Sequence, residues 1–194
     1  MFIDSLEAKS NLRIVARERG KIVHQRDVHN IVPDVGRQWL SELIVGESAA
    51  YITQMGPGIG STTQTNSYVD VAPFDDYPVV GAKSQTDTDP AITSLERPVR
   101  VSGADGPIVG TDVWLKSVSA PTHPTTSSTR LTCIFTELEV SYGSYSTVPI
   151  SELGLFTSDK NPNNPNEWLA AYDSFDPIPK SSAIELEVRW TLIF

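Results

Sequence analysis

The chain is predicted to be mainly β, an antiparallel β-sandwich or jelly-roll-like domain with one short amphipathic helix and long polar loops. Three observations carry this expectation. Residues 184–194 (I-E-L-E-V-R-W-T-L-I-F) place Ile184, Leu186, Val188, Trp190, Leu192 and Phe194 on every second position. Glu185, Glu187, Arg189 and Thr191 take the other face, and only Ile193 breaks the polar set. Successive side chains of a strand point to opposite faces, so this is an amphipathic strand with one apolar face. Second, roughly eight strand-like segments recur at short spacing between Pro- and Gly-rich loops, the rhythm of a sandwich. Third, only residues 34–45 show helical spacing. A core-type Phe at position 194 further predicts that this end of the chain is paired and packed in the sheet.

The elements follow in order. Residues 11–18, the pair Arg19-Gly20 and residues 21–29 read as a β-hairpin with Gly20 in the turn. Pro33 keeps its predecessor extended. Asp34 is the expected N-cap of the helix, whose apolar set is Val35, Trp39, Leu40, Leu43 and Ile44, and Gly46 ends it. Residues 50–55 form a strand that runs into Gly56-Pro57-Gly58-Ile59-Gly60. Residues 56–90 are read as an extended loop rich in Ser, Thr, Gln, Asp, Gly and Pro. A loop of this length in a compact domain is functional or ordered by a partner. Its Tyr68, Phe74 and Tyr77 need somewhere to bury, which predicts inter-subunit contacts.

Strands are expected again at 91–101 and 111–119, followed by a polar loop over 119–129. Residues 132–142 alternate with a shift of the apolar face along the strand. Segments 148–156, 167–175 and 184–194 complete the set.

Composition bounds the function. A chain of 194 residues suffices for a single sandwich domain spanning 1–194. It is 39% hydrophobic and 20% charged, which is globular rather than disordered. No segment approaches the roughly 18–20 apolar residues of a membrane span, and the first residues show no secretory pattern. The net charge of -9 argues against nucleic acid as a partner. Arg13, Arg17, Arg19, Lys21 and Arg26 are read as the solvated face of the hairpin. The single cysteine, Cys133, is read as a small buried hydrophobe.

Gly56, Gly58 and Gly60 follow a strand, but no helix or Lys-Ser/Thr pair follows them, so a flexible turn is expected instead of a phosphate cradle. His24 and His29 fall on opposite strand faces, and His123 stands in a loop, so no shared metal is expected. The run Gln85-Thr86-Asp87-Thr88-Asp89 lacks the central Gly and later Glu of a calcium loop. Glu137 and Glu139 share a predicted strand face about 7 Å apart, a spacing used by glycosidases but commoner as a solvated pair. No catalytic residue, cofactor or metal site is expected, and the chain is read as a non-enzyme. Trp168, Tyr172 and Phe175 are read as core. Trp114 is the best platform for a glycan, were the chain a carbohydrate-binding module.

Two stretches resemble small structural proteins of tailed-bacteriophage virions. The first is H-N-I-V-P-D-V-G-R-Q-W-L (29–40), continuing through Leu43-Ile44 to the glycines at 56–60. It is similar to an N-x-V-x-(D/N)-x-G-x-x-W/L-L helix followed by a glycine-rich turn. The second comprises I-S-E-L-G-L-F (150–156), W-L-A-A-Y (168–172), I-P-K (178–180) and L-E-V-R-W-T-L-I-F (186–194). Together they cover about a third of the chain at both ends of the fold, and such motifs report fold rather than chemistry. The resemblance implies a virion component made in the host cytoplasm, foremost a capsid decoration or cement protein acting through inter-subunit contacts. Neck, tail or baseplate is the alternative station. It also implies homo-oligomers and partners among virion proteins, either the major capsid protein or neck and tail proteins.

Overall fold

The structure, a computed structural model, describes residues 9–30, 32–46, 51–58, 95, 115–140, 147–157 and 169–194. Strands β1 (Lys9–Glu18) and β2 (Lys21–Asn30) form the expected hairpin. Arg19 (φ 48°) and Gly20 (φ 76°) are both left-handed, the two-residue turn whose twist matches antiparallel strands. β3 spans Ile52–Gly58, β4 Lys116–Ser117, β5 Thr122–Thr125 and β6 Ser128–Phe135. β7 spans Val148–Thr157, β8 Leu169–Lys180 and β9 Ile184–Ile193. Among the described residues every pairing is antiparallel, in a five-stranded sheet of order β2-β1-β9-β6-β5 and a four-stranded sheet of order β4-β3-β7-β8.

The period-two pattern of β9 has its expected consequence. β9 is the middle strand of its sheet, held by β1 from Lys9↔Ile193 to Glu18↔Ile184 and by β6 from Ser128↔Ile193 to Phe135↔Leu186. Leu186, Val188, Trp190 and Leu192 are buried against the opposite sheet, with the Trp190 indole donating to Ser10 Oγ at 3.2 Å. That bond satisfies the one polar atom the indole carries into the core. Phe194 departs from the expectation. The strand ends at Ile193, so the Phe194 ring stays 50% exposed while its backbone N–H donates to Ser127 O at 2.9 Å.

In the second sheet β7 is buried along almost its whole length. Val148, Ile150, Leu153 and Leu155 enter the main core. Phe156, next to Leu155 and so on the opposite face, joins a separate cluster with Leu95, Leu169 and Tyr172. Helix α1 (Asp34–Val45) lies on β8. Its Gly36 permits the approach, because a Cβ there would stand 2.3 Å from Ala170 O. Trp39 is buried in the core, and left-handed Gly46 closes the helix.

Several boundaries differ from the sequence expectation. Pro33, not Asp34, occupies the N-cap, with no side-chain cap bond. Asp34 is the first helical residue, where its carboxylate meets the positive end of the helix dipole. The first residues of the predicted loop 56–90 are strand, and residues 59–90 lie outside the described residues. Gly56, Pro57 and Gly58 stay in β3 opposite Gly154, Leu153 and Glu152, and a Cβ at Gly58 would strike Glu152 Oε1 at 2.2 Å. The polar stretch 119–129 contains β5, which turns at 126–127 into β6. β6 stops at Phe135, and residues 137–140 form a turn, so the predicted strand 132–142 is too long. Val140 is left-handed there (φ 54°) and buried, a strained position for a β-branched residue. β8 runs on to Lys180, past the expected 175. The expected strand 91–101 lies outside the described residues except for buried Leu95, and within 115–119, the described part of the expected strand 111–119, residues 116–117 are strand.

The burial pattern generates a stability prediction. Trp190→Ala is expected to cost about 3–5 kcal/mol by opening a cavity, whereas Leu138→Ala, at a 79% exposed side chain, stays within about 0.5 kcal/mol. Urea unfolding of the two variants measures both, and equal effects would refute the core assignment.

Candidate functional site

The solvent face of the five-stranded sheet carries two cross-strand rows. Register sets Asp27 opposite Arg13, Arg13 opposite Arg189, and Arg189 opposite Thr132. The adjoining row sets Asn11 opposite Thr191 and Thr191 opposite Arg130. These strands reach the same face because polar residues take the positions that alternate with Leu12, Ile14, Leu131, Cys133, Val188 and Trp190 in the core. Between the rows lies an open groove of about 420 Å³ lined by Asn11, Arg13, Asp27, Arg130, Arg189 and Thr191 among others.

Arg13 meets Asp27 as a fork, Nε to Oδ1 at 2.5 Å and Nη2 to Oδ2 at 3.2 Å. The Arg13 hydrogen bonds hold the Asp27 carboxyl below the usual carboxylate range. The pair is solvated, and an exposed ion pair contributes little to stability. Arg130 Nε donates to Thr191 Oγ1 at 3.3 Å.

Beside the groove, Glu187 is nearly buried between two arginines, taking Arg17 Nη1 at 2.5 Å and Arg189 Nε at 2.6 Å. Burial pushes its carboxyl up, but the hydrogen bonds from Arg17 and Arg189 outweigh this and hold it below the ordinary value. A second ionic group sits at the turn after β6. Lys180 Nζ, fully buried, donates to Glu137 O at 3.1 Å and Ser181 O at 2.9 Å. Burial lowers its pKa to about 8, partly opposed by Glu139 and Glu137. Glu139 is tied to Lys116 and to the Thr136 backbone N–H, and these bonds bring it below its usual range against the upward push of burial. A third polar pair, Tyr172 Oη donating to Glu152 Oε2 at 3.2 Å, is buried in the four-stranded sheet.

The residues singled out in the sequence are dispersed. Tyr68, Phe74, Tyr77 and Trp114 lie outside the described residues, as do Trp168 and the Asp87-Asp89 run. His24 is exposed in β2, and register sets it opposite Ala16 while His29 stands opposite Asn11, on opposite faces. His123 is exposed in β5, its Nδ1 3.3 Å from Thr129 Oγ1. Glu137 and Glu139 do not share a strand face, because the chain turns there and each is used to hold that turn. Cys133 is buried, and desolvation pushes its thiol up to about 12, the state of an inert side chain. Tyr172 and Phe175 are buried as expected. Among the described residues no three His, Cys, Asp or Glu side chains gather to hold a metal ion.

Sequence reasoning missed the arginine groove and the three buried ionic groups. Lys180 was signalled by sharing a strand face with Ile178, and Glu152 by standing inside the apolar run 150–156. The groove had no local signal, since β1, β9 and β6 are far apart in sequence. Guanidinium forks such as these have the geometry to match carboxylates and other planar anions.

Two pH dependences follow. The depressed Glu187 carboxyl stabilises the fold above its ordinary value of 4.5, and this contribution is lost as pH falls below it. The stability gap between the protein and Glu187→Gln should therefore narrow in acid titrations monitored by circular dichroism. Lys180 has the opposite sign. Its folded pKa lies below its ordinary 10.5, so the unfolded chain binds the proton more tightly and stability rises from pH 8 towards 10.5. Lys180→Met should remove that rise from the melting profile, and an unchanged profile would refute the assignment. Compared with known proteins, the chain matches no family model, no curated protein and no solved structure.

Proposed function

We propose that the chain is a structural subunit of a tailed-bacteriophage virion, foremost a capsid decoration or cement protein that acts through contacts with neighbouring subunits. The observation that supports this reading best is the place of the residues that carry the resemblance. Trp39, Ile150, Leu153, Leu155, Phe156, Ile178, Lys180, Leu186, Val188 and Trp190 are all buried in the helix–sheet framework. Motifs used in this way specify a frame, which agrees with a family whose shared motifs are structural.

Two surface features favour assembly. Among the described residues β2 is an edge strand of ten residues with Ile22 and Val23 exposed, and an open edge is a template for pairing with another chain. The groove adds a charged recognition surface on the same sheet. Residues 59–90 lie on neighbouring subunits in this reading, and the partners are the major capsid protein or, for a neck, tail or baseplate station, the proteins of the tail axis.

Counting copies by quantitative mass spectrometry of particles purified from cells in which the chain is made tests the proposal. On the order of hundreds of copies place it on the head and about six or twelve on the tail axis, by the symmetry of those structures. Absence from purified particles would overturn the virion reading.

A further inference from the structure

We infer that the groove between Arg13, Arg130 and Arg189 receives the acidic stretch 70–89 of a neighbouring copy of the chain, with Asp87 and Asp89 seated on Arg130 and Arg189. The inference rests on the assembly reading above and names the surface and the segment that would make one of its contacts.

Charge is the first argument. In a chain of net charge -9, the groove gathers three guanidinium groups against one lining carboxylate, Asp27. Arg13 and Arg189 are direct cross-strand neighbours, an arrangement that is unfavourable for like charges. Asp27 compensates the first and Glu187 the second, while Arg17, which shares Glu187, also has Glu185 at 3.9 Å. Arg130 faces the hydroxyl of Thr191 and has no carboxylate partner among the described residues. The groove therefore retains positive charge after its internal pairs are made. It is also open in the single chain, with Arg13 50% and Arg189 39% exposed.

The occupant is argued from the same sequence. Residues 70–89 contain five aspartates, Asp70, Asp75, Asp76, Asp87 and Asp89, against one lysine, Lys83. A stretch of similar acidity, residues 167–187, is largely taken up by β8 and β9 of the chain itself. Spacing agrees with charge. Arg189 is opposite Thr132, and Arg130 is two residues from Thr132, so the two arginines are diagonal neighbours about 7–8 Å apart at the backbone. In an extended chain Asp87 and Asp89 project from one side about 6.6 Å apart. Two carboxylates on that repeat can each take one fork, and bidentate Arg–carboxylate pairing supplies geometry as well as attraction.

Charge-swapped full-length chains test this. Arg130→Glu, the double change Asp87→Lys with Asp89→Lys, and all three together are compared with the protein by light scattering and thermal melting. A labelled peptide of residues 83–91 (K-S-Q-T-D-T-D-P-A) is titrated onto the unaltered chain and onto Arg130→Glu. We expect either set alone to weaken self-association about tenfold or more at unchanged melting temperature. We expect the combined chain to associate more tightly than either. Peptide affinity should fall by a similar factor with Arg130→Glu and decline with added salt. Should Arg130→Glu fold poorly, Arg130→Gln gives the same comparison.

Loss of association without recovery in the combined chain, or none to lose together with no peptide binding, overturns the inference. So does an effect confined to Arg130→Glu, which would mark a different anion, such as a glycan carboxylate, as the ligand. Chain present in particles but indifferent to these swaps overturns this inference alone and leaves the virion reading standing.

Discussion

The central position of β9 is the constraint on which the rest of the larger sheet depends. β9 is flanked along its whole length by β1 and over most of it by β6, and these two strands carry β2 and β5 outward. Its even-numbered side chains define the core surface of the sheet, and its odd-numbered ones define the groove. A one-residue slip of β9 would exchange Trp190 for Arg189 and Val188 for Glu187, placing charges in the core. Register and the arginine groove are thus set by one alternation.

Three ionic or polar groups are tolerated inside or beside this frame because each is matched locally. Glu187 has two arginine donors, Lys180 has two backbone carbonyls, and Glu152 has the Tyr172 hydroxyl. Removing a partner from such a group leaves the desolvation penalty uncompensated, which makes these positions more sensitive than their polarity suggests. Lys180 also fastens the turn after β6 to the end of β8, so a buried charge substitutes for apolar packing where the chain reverses.

What could be read from the sequence was whatever is encoded within a dozen neighbouring residues. The β9 alternation, the Arg19-Gly20 turn and the helix ending at Gly46 have period or turn chemistry of their own, and all three stand where they were expected. β5 was hidden because Thr122-His123-Pro124-Thr125 has no apolar face, being an edge strand exposed on all sides. The end of β6 was hidden because Leu138 and Val140 continue a strand-like pattern while the backbone turns at Glu137. Phe194 continues both the alternation and the residue type of the core face, yet its ring lies beyond the last ladder pair. The groove was illegible because its arginines come from three strands joined only by tertiary pairing.

The pairing of β1 with β9 has a consequence for how the chain reaches this state. Glu18 is partnered by Ile184 and Lys9 by Ile193, so the innermost ladder of the larger sheet joins segments separated by nearly the whole chain. Such contacts give high contact order, and the entropy of closing so long an intervening span must be met before the ladder returns any stability. During synthesis the β1–β2 hairpin precedes both β8, which packs against its apolar face, and β9, which pairs with the edge of β1. Folding of this sheet is therefore a late event, and the waiting hairpin is the species most exposed to misassociation.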